Sequence, residues 1–169
     1  MGSLQGSAWR GHNRRYDATD HGGSLNTTGR YHRGPDQYPA GPVWPALYLS
    51  LAPHTAVLEI DRQFSSTTWE NRRNYRFTEL AVTLSAILDC RDVGTLGLTL
   101  DHLCDDYDWS IPQALAAAAR DIHAEGILVP SATRWGDNLI VFPDLRRPSS
   151  SFEIVRFHEP QLYRRSHQR

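Results

Sequence analysis

Short apolar runs, bounded by glycine, proline and polar residues, mark the predicted strands of this chain. Residues 46–50, 127–130 and 138–142 have the length and the β-branched or aromatic content of buried strands. Residues 152–157 alternate apolar and polar side chains, which is typical of a strand with one exposed face. Residues 95–100 are predicted to form a further strand.

Helical spacing of apolar residues predicts a helix over residues 76–88. Phe77, Leu80, Leu84 and Leu88 recur close to the spacing of one helix face. A strand remains the alternative for part of this stretch, because its β-branched residues lose rotamer freedom in a helix.

The clearest predicted helix begins at Ser110. Its hydroxyl would cap the backbone while Gln113 reaches back, as in a capping box. Pro112 fits the first turn, and Gly126 is expected to end the helix in the left-handed conformation. Residues 55–60 fit a short helix or a strand, and both interpretations stay open.

The first 45 residues have little apolar periodicity and are rich in Gly, Asn, Asp, Arg and aromatic residues. They are predicted to be loops with short strands, ordered by polar contacts or by a ligand, and so form a candidate binding surface. Several strands with one or two packed helices indicate an α+β domain. We expect one domain over residues 1–158, followed by a C-terminal tail at 159–169.

The charged residues exclude several kinds of chemistry. All 18 basic residues are arginine, so the chain can form no Schiff base through lysine and has no Walker-type phosphate loop. The eight histidines include no pair at the helical i, i+4 spacing, and we therefore expect no metal. Acidic residues offset the arginines to a net charge of -1, which argues against direct nucleic-acid binding.

Membrane and redox signals are weak in this sequence. No apolar run approaches the roughly 20 residues that span a bilayer, and no basic region leads into an apolar stretch at the start. We therefore expect a cytoplasmic protein that does not bind a membrane. Cys90 and Cys104 are too few for a disulfide scaffold or a cysteine zinc site, and we expect both to be reduced and buried.

Arginines and tyrosines near the N-terminus are candidates for binding a nucleotide. Arg10, Arg30 and Arg33 lie among glycines and offer the forked donors that suit a diphosphate. Solvated loop arginines are the alternative. Tyr31 and Tyr48 offer aromatic faces for a nicotinamide or adenine ring, with core packing as the alternative.

Glu59 and Ser131 are candidates for the chemistry itself. Glu59 follows an apolar run, where carboxylates are seldom buried unless paired. Beside a cleft, this carboxylate would stabilise positive charge developing on a sugar, whereas the alternative is an exposed surface carboxylate. Ser131 directly follows predicted strand 127–130, so its hydroxyl is placed to bind a ligand or to form a turn. No signature provides the general base that a serine nucleophile needs.

With these residues in place, the chain resembles the RES-domain family, which is named for an arginine, a glutamate and a serine. The resemblance covers most of the chain and rests on elements in a fixed order: Trp9-Arg10, Gly29-Arg30-Tyr31, Tyr48 with Glu59 eleven residues later, Trp109-Ser110 with Gln113, Glu125 through Ser131, and Asn138 through Phe142. One departure is Gly11, which stands where some relatives place a tyrosine. The aromatic contact on the nicotinamide is therefore either missing or supplied by Tyr16 or Tyr31.

The resemblance implies a fold and a reaction. The implied fold is ADP-ribosyltransferase-like, with split β-sheets, a few packed helices and NAD in a cleft between two small sheets. Family members include NAD-degrading toxins of toxin-antitoxin pairs. The implied reaction is cleavage of the nicotinamide-ribosyl bond by water or by inorganic phosphate as co-substrate, with no cofactor beyond NAD itself. The implied partner is a cognate antitoxin with a helix-turn-helix domain.

The resemblance also assigns roles to the candidate residues. The implied catalytic residues are Glu59, Arg10 and Ser131, with the carboxylate facing an oxocarbenium-like transition state. The implied binding residues are Arg10 and Arg30 for the diphosphate, Tyr31 and Tyr48 for the nicotinamide or ribose, and Ser131 for a ribose or amide group.

Two other functions stay open. The same cleft would support transfer of ADP-ribose to a protein if an acceptor side chain approached the ribose in place of water. A third hypothesis is a non-catalytic nucleotide-binding or interaction module. The sequence also leaves open whether the chain forms a homo-oligomer.

Overall fold

Strands and helices alternate along the chain in the computed structural model, which describes residues 1–63 and 74–158. The strands are β1 Gly2–Asn13, β2 Leu47–Ser50, β3 Tyr75–Asp89, β4 Gly126–Pro130, β5 Asp137–Val141 and β6 Ser151–His158. The α-helices are α1 Pro53–Gln63, α2 Leu100–Cys104 and α3 Ser110–Asp121. The predicted tail at 159–169 lies outside the described residues, so the domain boundary at 158 stays a prediction.

The six strands form one sheet in the order β1-β2-β5-β4-β3-β6, and β1 also pairs with β3. Five strands therefore close into a ring, and β6 lies outside it against β3. The β3–β4 pair is parallel, with α2 and α3 in the connection between the two strands. The predicted α+β domain with few helices is confirmed. The two small sheets expected from the family are joined into one, because β1 pairs with both β2 and β3.

Period-two alternation on the central strands divides the core into two layers. Leu128, Leu139 and Val141 point into the ring, where they pack with apolar residues of β2 and β3. Their neighbours Ile127 and Ile140 point outward and pack under α3. Successive side chains of a strand face opposite sides of a sheet, so each central strand contributes to both layers.

The longest strand pair corrects two predictions. Residues 76–88, predicted as a helix, form most of β3, and the first 45 residues contain the twelve-residue strand β1. β1 and β3 pair antiparallel from Gly2 opposite Ile87 to Asn13 opposite Tyr75. The helical spacing in β3 was misleading because long-range pairing overrides local propensity. β1 gave no signal because small and polar residues occupy it.

The region around α2 and α3 also differs from the predictions. Residues 95–100 form no strand, since the chain makes a 3-10 turn at Val93–Leu96 and enters α2. Helix α3 does begin at Ser110, but the capping box is absent, and the Ser110 amide donates instead to the Asp108 carboxylate. Gly126 does not end the helix. It begins β4, where a Cβ atom would collide with the backbone carbonyl of Ile140.

The remaining strand predictions are confirmed by β2, β4, β5 and β6. The ambiguous residues 55–60 lie within helix α1. Cys90 and Cys104 are both free and buried, as predicted. Within the described ranges, none of the helices is long and apolar enough to cross a membrane.

Candidate functional site

A cleft of about 1050 Å³ opens beside the ring of strands. Strands β1 and β2, helix α1 and the irregular segment between β1 and β2 form most of its walls. Five of the six predicted site residues line it, and four of these five are Arg10, Arg30, Tyr31 and Tyr48. Glu59 lines the same cleft, and Ser131 lies directly behind Glu59. The fold thus gathers side chains that are far apart in the sequence around one cavity.

Glu59 is half-buried on α1 and projects into the cleft. Its Oε1 atom accepts hydrogen bonds from the hydroxyl of Ser131 at 2.7 Å and from Nδ2 of Asn138 at 2.6 Å. Among the described residues both hydrogen bonds fall on Oε1. The carboxylate is therefore held in one orientation through one oxygen, and Oε2 is left for a ligand in the cleft.

Ser131 supports Glu59 from inside the protein. It ends up just after β4 with 0% of its surface exposed. Its hydroxyl also lies 2.7 Å from that of Thr133, and its amide donates to the Gly136 carbonyl. The hydroxyl is thus already used within the protein. The direct contact with a ribose or amide that the family implies for Ser131 stays a prediction.

Asn138 is a site residue that the sequence analysis did not single out. It is buried at the start of β5 and lines the cleft. Its Oδ1 accepts a hydrogen bond from Ser50 Oγ at 2.9 Å, and this contact orients Nδ2 towards Glu59. The signal was weak, because Asn138 was noted only as the first residue of a predicted strand and of the motif element that covers this strand, without a role of its own. Its pairing with Ser50 across β2 and β5 becomes visible only in the structure.

Arg10 lines the cleft from β1 and is held at its tip. Its Nη1 donates to the Ala18 carbonyl at 2.7 Å. Burial lowers the pKa of Arg10, while the negative charge of Asp20 opposes that shift. A guanidinium remains protonated in proteins despite such shifts. Arg10 therefore presents a partly buried positive charge on the wall of the cleft.

Arg30 presents a second positive charge. Its Nη1 donates to the backbone carbonyls of Leu103 and Asp105, and its guanidinium carbon lies 5.8 Å from the centre of the Trp109 ring. Arg33, the third candidate for a diphosphate, lies over the rings of Tyr38 and Trp44 instead. Arg33 therefore packs on aromatic side chains, and the diphosphate role predicted for it is not supported.

Tyr48 fixes the loop that carries Arg30. Its hydroxyl accepts a hydrogen bond from the Tyr31 amide at 2.9 Å and lies 2.9 Å from Nδ1 of His32. His32 Nε2 lies 2.7 Å from the Thr27 carbonyl, which can only accept. Burial lowers the pKa of His32 and so favours the neutral ring. In a neutral ring that donates from Nε2 to the Thr27 carbonyl, Nδ1 accepts from the Tyr48 hydroxyl.

Tyr16 and Tyr31, the two residues expected to supply an aromatic contact in the cleft, differ in how much of their surface is exposed. Tyr31 is only 2% exposed and packs in the outer core layer with Trp44. Tyr31 therefore offers almost no surface for the ring stacking predicted for it. Tyr16 is exposed and lines the cleft. Of the two residues expected to replace the aromatic group missing at Gly11, Tyr16 has the suitable placement.

Gln113 links α3 to the same loop. It is buried, accepts a hydrogen bond from the Tyr38 hydroxyl at 2.6 Å and donates to the Gly29 carbonyl at 3.1 Å. The side chain predicted to cap its own helix thus holds the residue before Arg30 in place. The Arg30 loop is therefore held by side-chain hydrogen bonds on both sides of Arg30, from Gln113 to the Gly29 carbonyl and between the Tyr31 amide and the Tyr48 hydroxyl.

These features define an α+β protein whose cleft is lined by arginine side chains beside an oriented carboxylate. The sequence model of the RES domain matches residues 7–162, and the chain therefore belongs to the RES domain family. This confirms the resemblance drawn from the motifs.

Named relatives come from mycobacteria. The chain is 34% identical over 113 residues to proteins called NAD(+) phosphorylase MbcT from Mycobacterium bovis and Mycobacterium tuberculosis. The match covers 63% of this chain and 60% of each relative, so it spans less than two thirds of their length.

A solved structure matches over more of the chain. It is described as the crystal structure of the M. tuberculosis MbcT-MbcA toxin-antitoxin complex. The TM-score is 0.77 at 25% identity, and the match covers 97% of this chain and 90% of the other. The shared fold therefore extends well beyond the segment matched by sequence.

Proposed function

We propose that this chain cleaves the bond between nicotinamide and ribose in NAD, with inorganic phosphate as the acceptor. The single observation that carries the proposal is Glu59, held in the cleft by Ser131 and Asn138 through one carboxylate oxygen. Membership of the RES domain family and the name NAD(+) phosphorylase given to the relatives support both the substrate and the acceptor.

In the proposed reaction the ribose C1′–nitrogen bond breaks and its electron pair passes to the nicotinamide ring. Nicotinamide thereby leaves as a neutral molecule, and positive charge develops on the ribose. The carboxylate of Glu59 stabilises that charge, and it costs little reorganisation because two donors already orient it. A phosphate oxygen then bonds to the same ribose carbon, which is C1″ in the numbering of ADP-ribose. The phosphate loses a proton, and the product is ADP-ribose 1″-phosphate.

Two of the arginines that line the cleft, Arg10 and Arg30, bind the substrate in this proposal. Arg10 and Arg30 lie on the cleft wall with backbone carbonyls fixing one nitrogen of each guanidinium. Preorganised positive charge suits the diphosphate of NAD. Tyr48 acts mainly by holding the Arg30 loop, and Tyr16 offers the exposed ring for nicotinamide or adenine.

The experiment is product analysis after incubation of the purified chain with NAD, with and without phosphate. The proposal expects one free nicotinamide for each ADP-ribose 1″-phosphate, and a strong dependence on phosphate. ADP-ribose alone would instead indicate hydrolysis, and label from NAD on protein would indicate ADP-ribosyl transfer. Where the Glu59→Gln variant is compared with wild type, Glu153→Gln on the exposed face of β6 is its control. Failure of the folded wild type to release nicotinamide would refute the proposal.

We further propose that the chain is the toxin of a pair whose antitoxin covers the cleft and carries a helix-turn-helix domain. The supporting observation is that the matched solved structure is described as a toxin-antitoxin complex. A cytoplasmic location is part of this proposal, since the NAD of a bacterial host is there. Expression of the chain alone should lower cellular NAD and stop growth, and co-expression of the antitoxin should restore both. Normal growth and NAD with abundant soluble chain would count against the toxin role.

A further inference from the structure

Two arginines share one carboxylate at the wall of the cleft. Nη2 of Arg30 lies 3.5 Å from Oδ1 of Asp106, and Nη2 of Arg62 contacts the same oxygen. All three side chains line the cleft. A single aspartate oxygen thus bridges two guanidinium groups that face a cavity large enough for a nucleotide.

The arginine Arg30 is fixed, whereas the acid is exposed. Only 11% of the Arg30 side chain is accessible, and backbone carbonyls of Leu103 and Asp105 hold its Nη1. The Asp106 side chain is 58% accessible. Water competes for the exposed carboxylate of Asp106, and this competition reduces the free energy that the ion pair contributes. Asp106 can therefore leave the arginines at small cost, while Arg30 stays in position.

Arg62 adds a charge close to the proposed chemistry. It lies three residues after Glu59 on α1, a spacing that places both on the same side of the helix. Burial and the nearby charge of Arg30 both lower the pKa of Arg62. Two guanidinium groups held together in this way favour a ligand with more than one negatively charged oxygen. A phosphate group has such oxygens.

We propose that Arg30 and Arg62 together bind a phosphate group of the substrates, and that Asp106 occupies this position until the phosphate displaces it. The inference rests on the proposed function, because the phosphate group that it places between Arg30 and Arg62 belongs to a substrate of the proposed NAD cleavage. The phosphate is either inorganic phosphate or the diphosphate of NAD, which share the same chemistry. In both cases Asp106 competes with the substrate and weakens its apparent affinity.

Binding measurements without turnover separate this inference from the proposed reaction. Calorimetric titrations with inorganic phosphate alone and with ADP-ribose alone need no bond cleavage, because neither contains the nicotinamide-ribosyl bond. The variants are Arg62→Gln and Asp106→Asn. The matched control is Asp144→Asn, which removes another accessible aspartate from a largely buried arginine, Arg120, on α3.

Arg62→Gln should weaken binding of at least one of the two ligands by about 10-fold or more, as expected for loss of a charged hydrogen-bond donor. Asp106→Asn should tighten binding of the same ligand by about 2-fold to 5-fold, the range expected for an exposed ion pair. Asp144→Asn should change neither affinity. Changes confined to inorganic phosphate would assign the pair to the acceptor, and changes confined to ADP-ribose would assign it to the diphosphate.

Three results would overturn the inference. The first is that neither ligand binds the folded wild type. The second is unchanged affinity for both ligands in folded Arg62→Gln. The third is Asp106→Asn binding the affected ligand no more tightly than wild type, which would remove the competing role of the aspartate. Circular dichroism of each variant confirms that it is folded before titration.

Discussion

Glu59 and Glu125 each accept a hydrogen bond from a serine hydroxyl, yet they differ in burial and in the number of hydrogen bonds that they accept. Glu125 is 0% exposed and accepts five hydrogen bonds. Oε2 is bound by the Ser85 amide and hydroxyl and by the Ala86 amide, and Oε1 by the Arg147 amide and the Ser150 hydroxyl. Glu59 instead lines a cleft, and its hydrogen bonds with the described part of the chain fall on one oxygen.

The difference separates a carboxylate that holds the fold from one that is available for chemistry. Burial alone would raise the pKa of Glu125, but hydrogen bonds from Arg147, Ser150 and Ser85 outweigh it and lower the pKa to about 2. A carboxylate surrounded by donors is committed to its structural partners. One with a free oxygen beside a cavity can still meet a substrate.

The largest effect is expected from Glu125→Gln. The amide NH₂ would face backbone donors in place of an acceptor, and buried donors would lose their partner. The free energy of unfolding should fall by about 3–5 kcal/mol, as for a broken buried charge network. Urea denaturation measures the change, with Glu153→Gln on β6 as the control. Wild-type stability in Glu125→Gln would contradict the structural role.

The pH dependence of stability should carry the same signature. The pKa of Glu125 in the folded protein is lowered to about 2, against about 4.3 for an unfolded glutamate. The folded state therefore gains stability above the unfolded pKa and loses it as the pH falls through the folded value. The contribution is about 3 kcal/mol. Denaturation between pH 6 and pH 2, in roughly one-unit steps, should show this loss in wild type and a smaller loss in Glu125→Gln.

A smaller effect is expected on catalysis when Glu59 loses one of its two donors. Ser131→Ala leaves only Asn138 to orient the carboxylate, and kcat should fall about 10-fold because the reacting group is less well placed. The KM for NAD should stay near wild type, since the Ser131 hydroxyl is buried. Ser7→Ala is a matched control, because it removes a serine-glutamate hydrogen bond to Glu79 away from the cleft. A raised KM with unchanged kcat would instead indicate direct contact between Ser131 and NAD.

Much of the fold could be read from the sequence where the signal is local. The buried runs that became β2, β4 and β5 have few alternatives, since they are short, apolar and bounded by turn residues. β1 and β3 could not be read in the same way, because each is stabilised by the other across more than sixty residues of chain.

The candidate site shows the same difference between what local sequence indicates and what depends on contacts between distant parts of the chain. Motif order pointed to Glu59 and Arg30, and the structure brings both to the cleft. Motif order could not separate the two glutamates by role, since Glu125 belongs to the same set of motifs. It also gave no role to Asn138 and did not include Arg62. The contact of Asn138 with Glu59 and that of Arg62 with Asp106 depend on how α1 is placed in the fold.

The most direct experiment is the rate of nicotinamide release from NAD by Glu59→Gln, compared with wild type at equal folded concentration. We expect the rate to fall about 100-fold or more, the loss typical of removing a preorganised charge from a transition state. The thermal midpoint should remain close to that of wild type, in contrast to Glu125→Gln. A folded Glu59→Gln that released nicotinamide at the wild-type rate would contradict the role assigned to this carboxylate.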